Sequence, residues 1–234
     1  QLQSGATAID LNASGTLASP VLTGTVSLED GRYEHFRNGV ILTDVTVQSE
    51  IIDLSTLQLT LVGSDGGRGR VGADLTVEFT DAGALVSGGL TAERAVMVRR
   101  DDVTAMLSAD LTLRGQMGAL LLSGPIIVDR AEARLVNATA PRIPTLGEIR
   151  ITGQPLIIQD AVQPSTIDLD LQVLADGDVF LRGRGLDSEW SMDLTVGGTS
   201  RTAEISGAMQ HERGTFTLIG RIFDITRGSV VFDG

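Results

Sequence analysis

Few residues in this 234-residue sequence have the types and the spacing that catalysis or cofactor binding requires. The run Gly67-Arg68-Gly69-Arg70-Val71-Gly72 has the GxGxxG spacing of a dinucleotide-binding loop. Such a loop needs a helix directly behind it, because the pyrophosphate binds at the helix N-terminus. Here the loop leads into Ala73-Asp74-Leu75-Thr76-Val77, whose alternation of apolar and polar residues predicts a strand. We therefore interpret the run as a β-turn.

The remaining candidate groups indicate no metal site and no nucleophile. His35 and His211 are the only histidines, and no paired acid stands at ligand spacing from either, so we expect both at surface positions beside turns. The pairs Asp101-Asp102 and Asp168/Asp170 lack the short-period Gly-Asp repeat of calcium-binding β-rolls. Cysteine is absent, as are P-loops and GxSxG elbows. The sequence thus predicts no catalytic residue, no metal, no cofactor and no enzyme.

The most regular feature of the chain is a repeated frame. An Asp-Leu pair is followed by two glycines nine residues apart and, seven residues later, by a small residue; the clearest copy begins at Asp110-Leu111. Further copies begin at Asp10 and Asp193, and a looser one at Asp74. Around each copy the apolar residues recur with a period of two, which is typical of strands. Repeated strand-turn-strand units predict stacked β-structure, because one unit cannot bury its own apolar face.

Along the chain, almost every segment is expected to be strand. A hairpin is predicted over 6–28, and Asp30-Gly31 and Asn38-Gly39 are turn signals. Residues 91–107 could open a helix, but their valines favour a strand. Two prolines interrupt the pattern in 137–147, which predicts a loop or a short helix there.

Composition limits the partners. A net charge of −12 argues against nucleic acid and against electrostatic docking on anionic lipid. No run approaches the length of apolar residues that a transmembrane helix needs, and no signal peptide opens the chain. Since the pattern runs up to both ends, we expect a fragment of a longer protein.

A sheet that is apolar on one face must cover that face. It can close into a barrel, pair with a second sheet, or curl over a ligand. Hydrophobic residues make up 42% of the chain but aromatics only 3%, which favours a smooth trough over a tightly filled sandwich. An ordinary core built of the same residues remains the alternative.

The C-terminal stretch resembles a known family. The resemblance begins with the segment from Val179 to Trp190, which has Arg182-Gly183-Arg184-Gly185 at its centre. It continues through Asp193 to Thr199, Gly207, Arg213-Gly214, and Gly220 to Gly228. This string resembles the C-terminal domain of the translocation and assembly module TamB family, which belongs with AsmA-like and bridge-type lipid transfer proteins. The resemblance is strongest over 179–234 and reaches the rest of the chain through the repeat frame.

The resemblance implies an all-β fold with little helix, a long, curled, antiparallel-type sheet forming a U-shaped hydrophobic groove (a β-taco). Residues 1–234 would be a single elongated segment of that groove. It also implies a periplasmic location in a diderm bacterium, with the full-length protein anchored in the inner membrane by a segment outside this chain. The implied partners are phospholipid acyl chains and an outer-membrane barrel of the TamA type.

Together, the pattern and the resemblance predict a conduit for phospholipid that supports outer-membrane biogenesis. About 20 strands at about 4.8 Å would make a trough of about 90 Å, with Asp168 and Asp193 on its outer face. The expected lining residues are apolar positions of one parity: Leu57, Leu59, Leu61, Leu75, Val77, Phe79, Leu120, Leu122, Ile167, Leu169, Leu171, Trp190, Met192, Leu194, Val196, Phe216 and Leu218.

Two other hypotheses remain. In the first, the chain is a chaperone or scaffold whose exposed edge strand receives a strand of a nascent outer-membrane protein by β-augmentation. In the second, it is a passive β-solenoid stalk with a filled interior.

Overall fold

In the computed structural model the chain is one large β-sheet, described here for residues 2–16, 19–36, 38–135 and 166–234. Every regular element in these ranges is a strand. The described residues therefore include no helix that is long and apolar enough to cross a membrane. The strands are β1 Leu2–Thr16, β2 Ser19–His35, β3 Val40–Ile51, β4 Thr56–Ser64, β5 Arg70–Thr80, β6 Gly83–Arg99, β7 Val103–Gln116, β8 Ala119–Arg134, β9 Thr166–Gly183, β10 Leu186–Gly198, β11 Ala203–Leu218, β12 Arg221–Asp224 and β13 Ser229–Asp233.

The strands follow one another in the sheet in the order of the sequence. Neighbours are antiparallel with one exception, since β8 and β9 run parallel and Ala119 pairs with Thr166. The predicted antiparallel-type sheet is confirmed, and the sequence did not indicate this one parallel junction, at which β9 begins at the same end of the sheet as β8. The connection, which includes the predicted loop or short helix at 137–147, lies outside the described residues. The strands predicted over 91–107 are confirmed as parts of β6 and β7.

The described sheet has fewer strands side by side, and is therefore narrower across them, than the sequence predicted. β12 and β13 pair with β11 in one register, so that they form a single interrupted strand. The described sheet thus has one strand position fewer than its 13 strands and measures about 50 Å across at about 4.8 Å per strand. The expectation of about 20 strands was wrong because individual strands are long, reaching 18 residues in β9.

Turns line the two ends of the strands. We call the side with turns at 52–55, 81–82, 117–118 and 199–202 the first rim. The opposite side, with turns at 65–69, 100–102, 184–185 and 219–220, is the second rim. The predicted turns at Gly67–Gly72 and Arg182–Gly185 both fall on the second rim, and Asn38-Gly39 is also a turn there.

A line of β-bulges crosses the sheet near the second rim, and we call it the crease. Register shifts occur at this level in most strand pairs, for example between Leu28 and Gly31, Ala92 and Ala95, and Ile127 and Ala131. Asp30, Asp44, Arg94 and Asp178 take left-handed backbone angles there, with φ between 46° and 57°. Bulges bend a strand and increase its twist, so an aligned row of them bends the whole sheet. Asp30-Gly31, predicted as a turn, is one of these bulges inside β2.

Polar side chains on the crease bond to the backbone N–H groups that the bulges release from the ladder. The Arg94 N–H donates to Ser108 Oγ at 3.0 Å, and the Ser108 hydroxyl donates to Asp129 Oδ2 at 2.7 Å. The Asp178 N–H donates to Glu189 Oε1 at 3.3 Å. These bonds satisfy donors that would otherwise lack partners, which stabilises the bend.

The sheet curls toward its apolar face. β3 and β6 contact each other although two strands separate them, and the Arg99 N–H donates to the Asn38 carbonyl oxygen at 2.8 Å. The buried hydrophobic residues of the described part are all on the apolar face by register, including Val45, Ala95 and Leu171. Burial confined to one face is expected when that face is concave. The predicted all-β, curled sheet forming a U-shaped groove is therefore confirmed.

A buried carboxylate holds the curl at the second rim. Asp65, in the β4–β5 turn, is only 4% exposed. Its carboxylate accepts the N–H groups of Gly67 at 2.8 Å, Gly69 at 3.0 Å and Val96 at 3.0 Å. Burial raises the pKa of Asp65, but these hydrogen bonds and the charge of Arg99 outweigh it, so the pKa lies below the ordinary value of 3.8.

The repeat frame has a steric cause. The second glycine of each copy pairs across the ladder with the leucine of the Asp-Leu pair, as Gly124 and Gly207 do with Leu111 and Leu194. A Cβ on Gly124 would lie 2.5 Å from the Asp110 carbonyl oxygen, and one on Gly207 would lie 2.3 Å from that of Asp193. Glycine is therefore required where the leucine backbone approaches most closely.

We expect Gly124→Ala to lower the free energy of unfolding by about 2 kcal/mol, because the new methyl meets backbone that cannot move away and φ is +133°. Gly89→Ala is the matched control, since its Cβ would have only the Leu111 carbonyl oxygen at 3.9 Å. Urea unfolding followed by circular dichroism measures both variants. Equal stability of the two would contradict the steric explanation.

We expect Asp65→Asn to cost about 1–3 kcal/mol at neutral pH, since an amide NH2 would face one of the N–H donors. The folded pKa is lowered, so the contribution of the carboxylate is complete above about pH 4 and is lost as pH falls through the folded value. The stability difference between wild type and variant should therefore shrink between pH 7 and about pH 3. Asp74→Asn, at an exposed position of β5, is the control, and a difference that does not change with pH would refute this role.

Candidate functional site

The concave face of the sheet is a continuous apolar surface. In β4 and β5, Leu57 pairs with Val77 and Leu59 with Leu75. Across the parallel junction Leu122 pairs with Leu169. Because paired residues project to the same side of a sheet, these leucines and valines form rows that run from strand to strand. The rows continue from β1 to the β11–β13 pair, with a few polar members such as Ser49 between Val26 and Leu59.

All the predicted lining residues lie on this concave face by register. Most of these residues are half-buried, and Leu120 and Leu171 are buried, with 8% of each exposed. Phe79 and Leu218, near the ends of their strands, are 53% and 50% exposed. Their role as a lining for lipid remains a prediction. Sequence reasoning missed further members of the same rows that simple alternation within their strands would have found: Val86, Leu113, Val173 and Ile205.

The convex face is polar. Thr60, Asp74, Thr112 and Ser123 form one row across β4, β5, β7 and β8. Asp168 and Asp193 are also on this face and exposed, as predicted. A few aliphatic residues interrupt it, for example Leu121, which pairs with Arg114 and Asp168. The two faces therefore differ sharply in polarity.

No second layer covers the apolar face within the ranges that the structure describes. Apart from the β3–β6 contact, the strands pack substantially only against the neighbours to which they are hydrogen-bonded. Cavities lined by charged side chains, such as Arg100, Arg130 and Glu132, lie on the polar side of the crease. Among the described residues, the apolar face is thus an open trough that no other described strand covers.

His211 is a polar side chain on the apolar face. His211 pairs with Trp190, and their rings meet edge to face with centroids 5.4 Å apart. Both ring nitrogens of His211 are shielded from solvent, with no hydrogen-bond partner among the described residues. The predicted surface position of His211 is therefore wrong, because the histidine sits inside β11 on the concave face. His35 is beside the β2–β3 turn, as predicted, with Nδ1 2.7 Å from Asn38 Oδ1.

The titratable side chains of the described residues are not clustered on the concave face. Across the described parts of the chain, no group of three or more His, Asp or Glu side chains is placed to hold a metal ion. The most buried carboxylate, Asp65, is occupied by backbone N–H groups of the turn that it stabilises. What the geometry provides is apolar area along a curved surface.

Comparison with protein families identifies this architecture. A family model described as the TamB C-terminal domain matches residues 55–234, which is well over half of the chain. The chain belongs to the TamB family. Neither a curated protein nor a solved structure matches it. The TamB match begins just before β4 and takes in the parallel β8–β9 junction, so it extends well beyond the residues 179–234 that carry the resemblance most strongly.

Membership gives the chain a TamB-like role in outer-membrane assembly. The TamB family is a transport and assembly module that works with partners of the TamA type, and its members indicate a periplasmic setting in a diderm envelope.

We expect His211→Phe to raise the free energy of unfolding by about 1 kcal/mol, because phenylalanine removes two shielded, unpaired polar atoms while keeping the edge contact with Trp190. Thermal and urea unfolding measure the change. His35→Phe, at the exposed histidine, is the control and should not stabilise. A clear loss of stability in His211→Phe would mean that the imidazole has a partner in solution.

Proposed function

We propose that the concave face carries the acyl chains of phospholipids between the inner and outer membranes, in support of outer-membrane biogenesis with a barrel partner of the TamA type. The supporting observation is the continuous apolar trough that no second layer covers in the described residues. In this proposal the full-length protein is periplasmic and is anchored in the inner membrane by a segment outside this chain. Residues 1–234 then form one segment of a longer groove.

The physical basis is transfer of hydrocarbon from water to the trough. Each methylene that leaves water contributes about 0.8 kcal/mol, so one acyl chain is held by many small and similar contributions. Rows such as Leu57–Val77 and Leu122–Leu169 present the same aliphatic surface at successive strands. Since no row is much more favourable than the next, a chain moves along the trough without crossing a deep minimum.

The head groups stay at the opening between the two rims. A polar head that entered the trough would lose its hydration without gaining hydrogen bonds, which costs several kcal/mol. The described part of the concave face has few polar side chains to replace that hydration. Bound lipids therefore keep one orientation, with their acyl chains inside the trough and their head groups at the rims.

A pair of adjacent leucines tests this proposal. Leu122 lies on the concave face and Leu121 on the convex face, so Leu122→Glu and Leu121→Glu place the same charge on opposite sides of one strand. We expect phospholipid to copurify with the wild-type chain and with Leu121→Glu, and to fall by roughly tenfold in Leu122→Glu, because a carboxylate in the trough repels hydrocarbon. Mass spectrometry of extracted lipid gives the amounts, and circular dichroism checks that the β content is kept.

If Leu122→Glu retained normal lipid while remaining folded, the trough could not be the path of the acyl chains. An equal loss of bound lipid in both variants would indicate misfolding, or an effect of the added charge that is the same on either face of the sheet. Absence of lipid from the folded wild-type chain would favour the second candidate.

That second candidate is a scaffold that accepts a strand by β-augmentation. Its support is that β1 and the β12–β13 strand are edges without a further neighbour in the described sheet, and Ile222 and Val231 are exposed by 72% and 74%. Exposed apolar edges are templates for strand addition. In this case the backbone of the edge matters and the concave face does not, so Leu122→Glu and Leu121→Glu should behave alike.

A further inference from the structure

The charges of the described residues are unevenly distributed between the two rims. Only Arg114 and Arg201 lie on the first-rim side of the crease; every other arginine that the structure describes is at the crease or on the second-rim side. Acids lie in the turns of both rims: Asp53 and Asp81 at the first rim, and Asp65, Asp101 and Asp102 at the second. Of the second-rim acids, Asp65 is buried and Asp102 is paired with Arg100, so the rims differ mainly in their arginines. A net charge of −12 thus conceals one rim on which nearly all the cations gather.

Several of these arginines stand at the second rim with their charge available. Arg68, Arg184 and Arg221 lie in or next to the turns 65–69, 184–185 and 219–220, and all three are exposed. None of them forms an ion pair with another described residue, whereas Arg100 at the neighbouring turn is paired with Asp102 at 2.9 Å. The turns that carry Arg184 and Arg221 are two strands apart, or about 10 Å, whereas the turn that carries Arg68 lies farther along the same rim.

We infer that the second rim binds the phosphate of glycerophospholipid head groups, so that lipids lie in the trough with their heads toward this rim. The inference rests on the proposed function, because it needs acyl chains in the trough below. Guanidinium groups bind phosphate oxygens through paired, charge-assisted hydrogen bonds. The carboxylates of Asp53 and Asp81 repel the same phosphate from the first rim, so attraction and repulsion favour the same orientation.

The inference also predicts a preference for phospholipid over diacylglycerol. A diacylglycerol offers the same acyl chains to the trough but has no phosphate for the rim. The chain should therefore bind a phospholipid more tightly than the matching diacylglycerol, and the difference should decrease as salt screens the exposed charges.

Two double variants test the rim while removing the same charge. Arg184→Gln with Arg221→Gln removes two arginines of the second rim, and Arg114→Gln with Arg201→Gln removes the two on the other side of the crease. Each is titrated at low ionic strength with phosphatidylglycerol and with diacylglycerol that carry identical dansyl-labelled acyl chains. We expect the second-rim variant to weaken phosphatidylglycerol binding by about three- to tenfold and to leave diacylglycerol binding unchanged. The control pair should change neither by more than about twofold.

The outcomes separate this inference from the proposed function. Equal affinity of the wild-type chain for both lipids would overturn the rim inference and leave the trough as the lipid path. An equal loss in both double variants would also overturn it, since net charge alone would then explain the effect. If neither lipid bound the folded wild-type chain, the proposed function would fail, and the inference with it.

Discussion

The structure depends on one constraint, which is that a single sheet with one apolar face has no partner layer to cover it among the described residues. In most β-proteins that face is buried against a second sheet or by closure into a barrel. Here the strands of the described chain contact almost only their ladder neighbours, and most residues of the leucine rows are only half-buried. The hydrophobic area left in this way is unfavourable in water and favourable for a hydrocarbon ligand. The feature that weakens the isolated sheet is therefore also the one on which the proposed function rests.

Curvature decides which face is available. The bulges at Asp30, Asp44, Arg94 and Asp178 recur at one level, and side chains such as Ser108 and Glu189 satisfy the N–H groups that they release. The row bends the sheet near the second rim, and Asp65 fixes the bend by joining the β4–β5 turn to β6. A flat sheet would expose its leucines to any apolar surface, including another copy. The bend directs them into a concave trough bordered by two rims, one of which carries nearly all the described arginines.

The sequence predicted those features of the fold that depend on residues close together in the chain. A period of two identified the strands and the apolar face, because alternate side chains of a strand must point to opposite sides. The repeat frame is explained by Gly124 and Gly207, where a Cβ would meet the backbone of the neighbouring strand. The bulges were missed, since Asp30-Gly31 has the composition of a turn and only the pairing of β2 with β3 shows that the strand continues.

Features that depend on distant residues could not be read from the pattern. The parallel pairing of β8 with β9, the enclosure of His211 beside Trp190 and the role of Asp65 toward Val96 each join residues that no spacing rule connects. The gathering of arginines on one rim likewise appears only after the turns are assigned to sides.

The chain's single tryptophan, Trp190, lies on the concave face and gives the most direct test of the central claim. Phospholipids brominated on the acyl chains quench tryptophan fluorescence on contact, whereas the same lipids without bromine do not. We predict that brominated lipid quenches Trp190 when it binds the wild-type chain, and that Leu122→Glu reduces the quenching. Binding of brominated lipid without any quenching of Trp190 would contradict the account, because the acyl chains would then lie somewhere other than the trough.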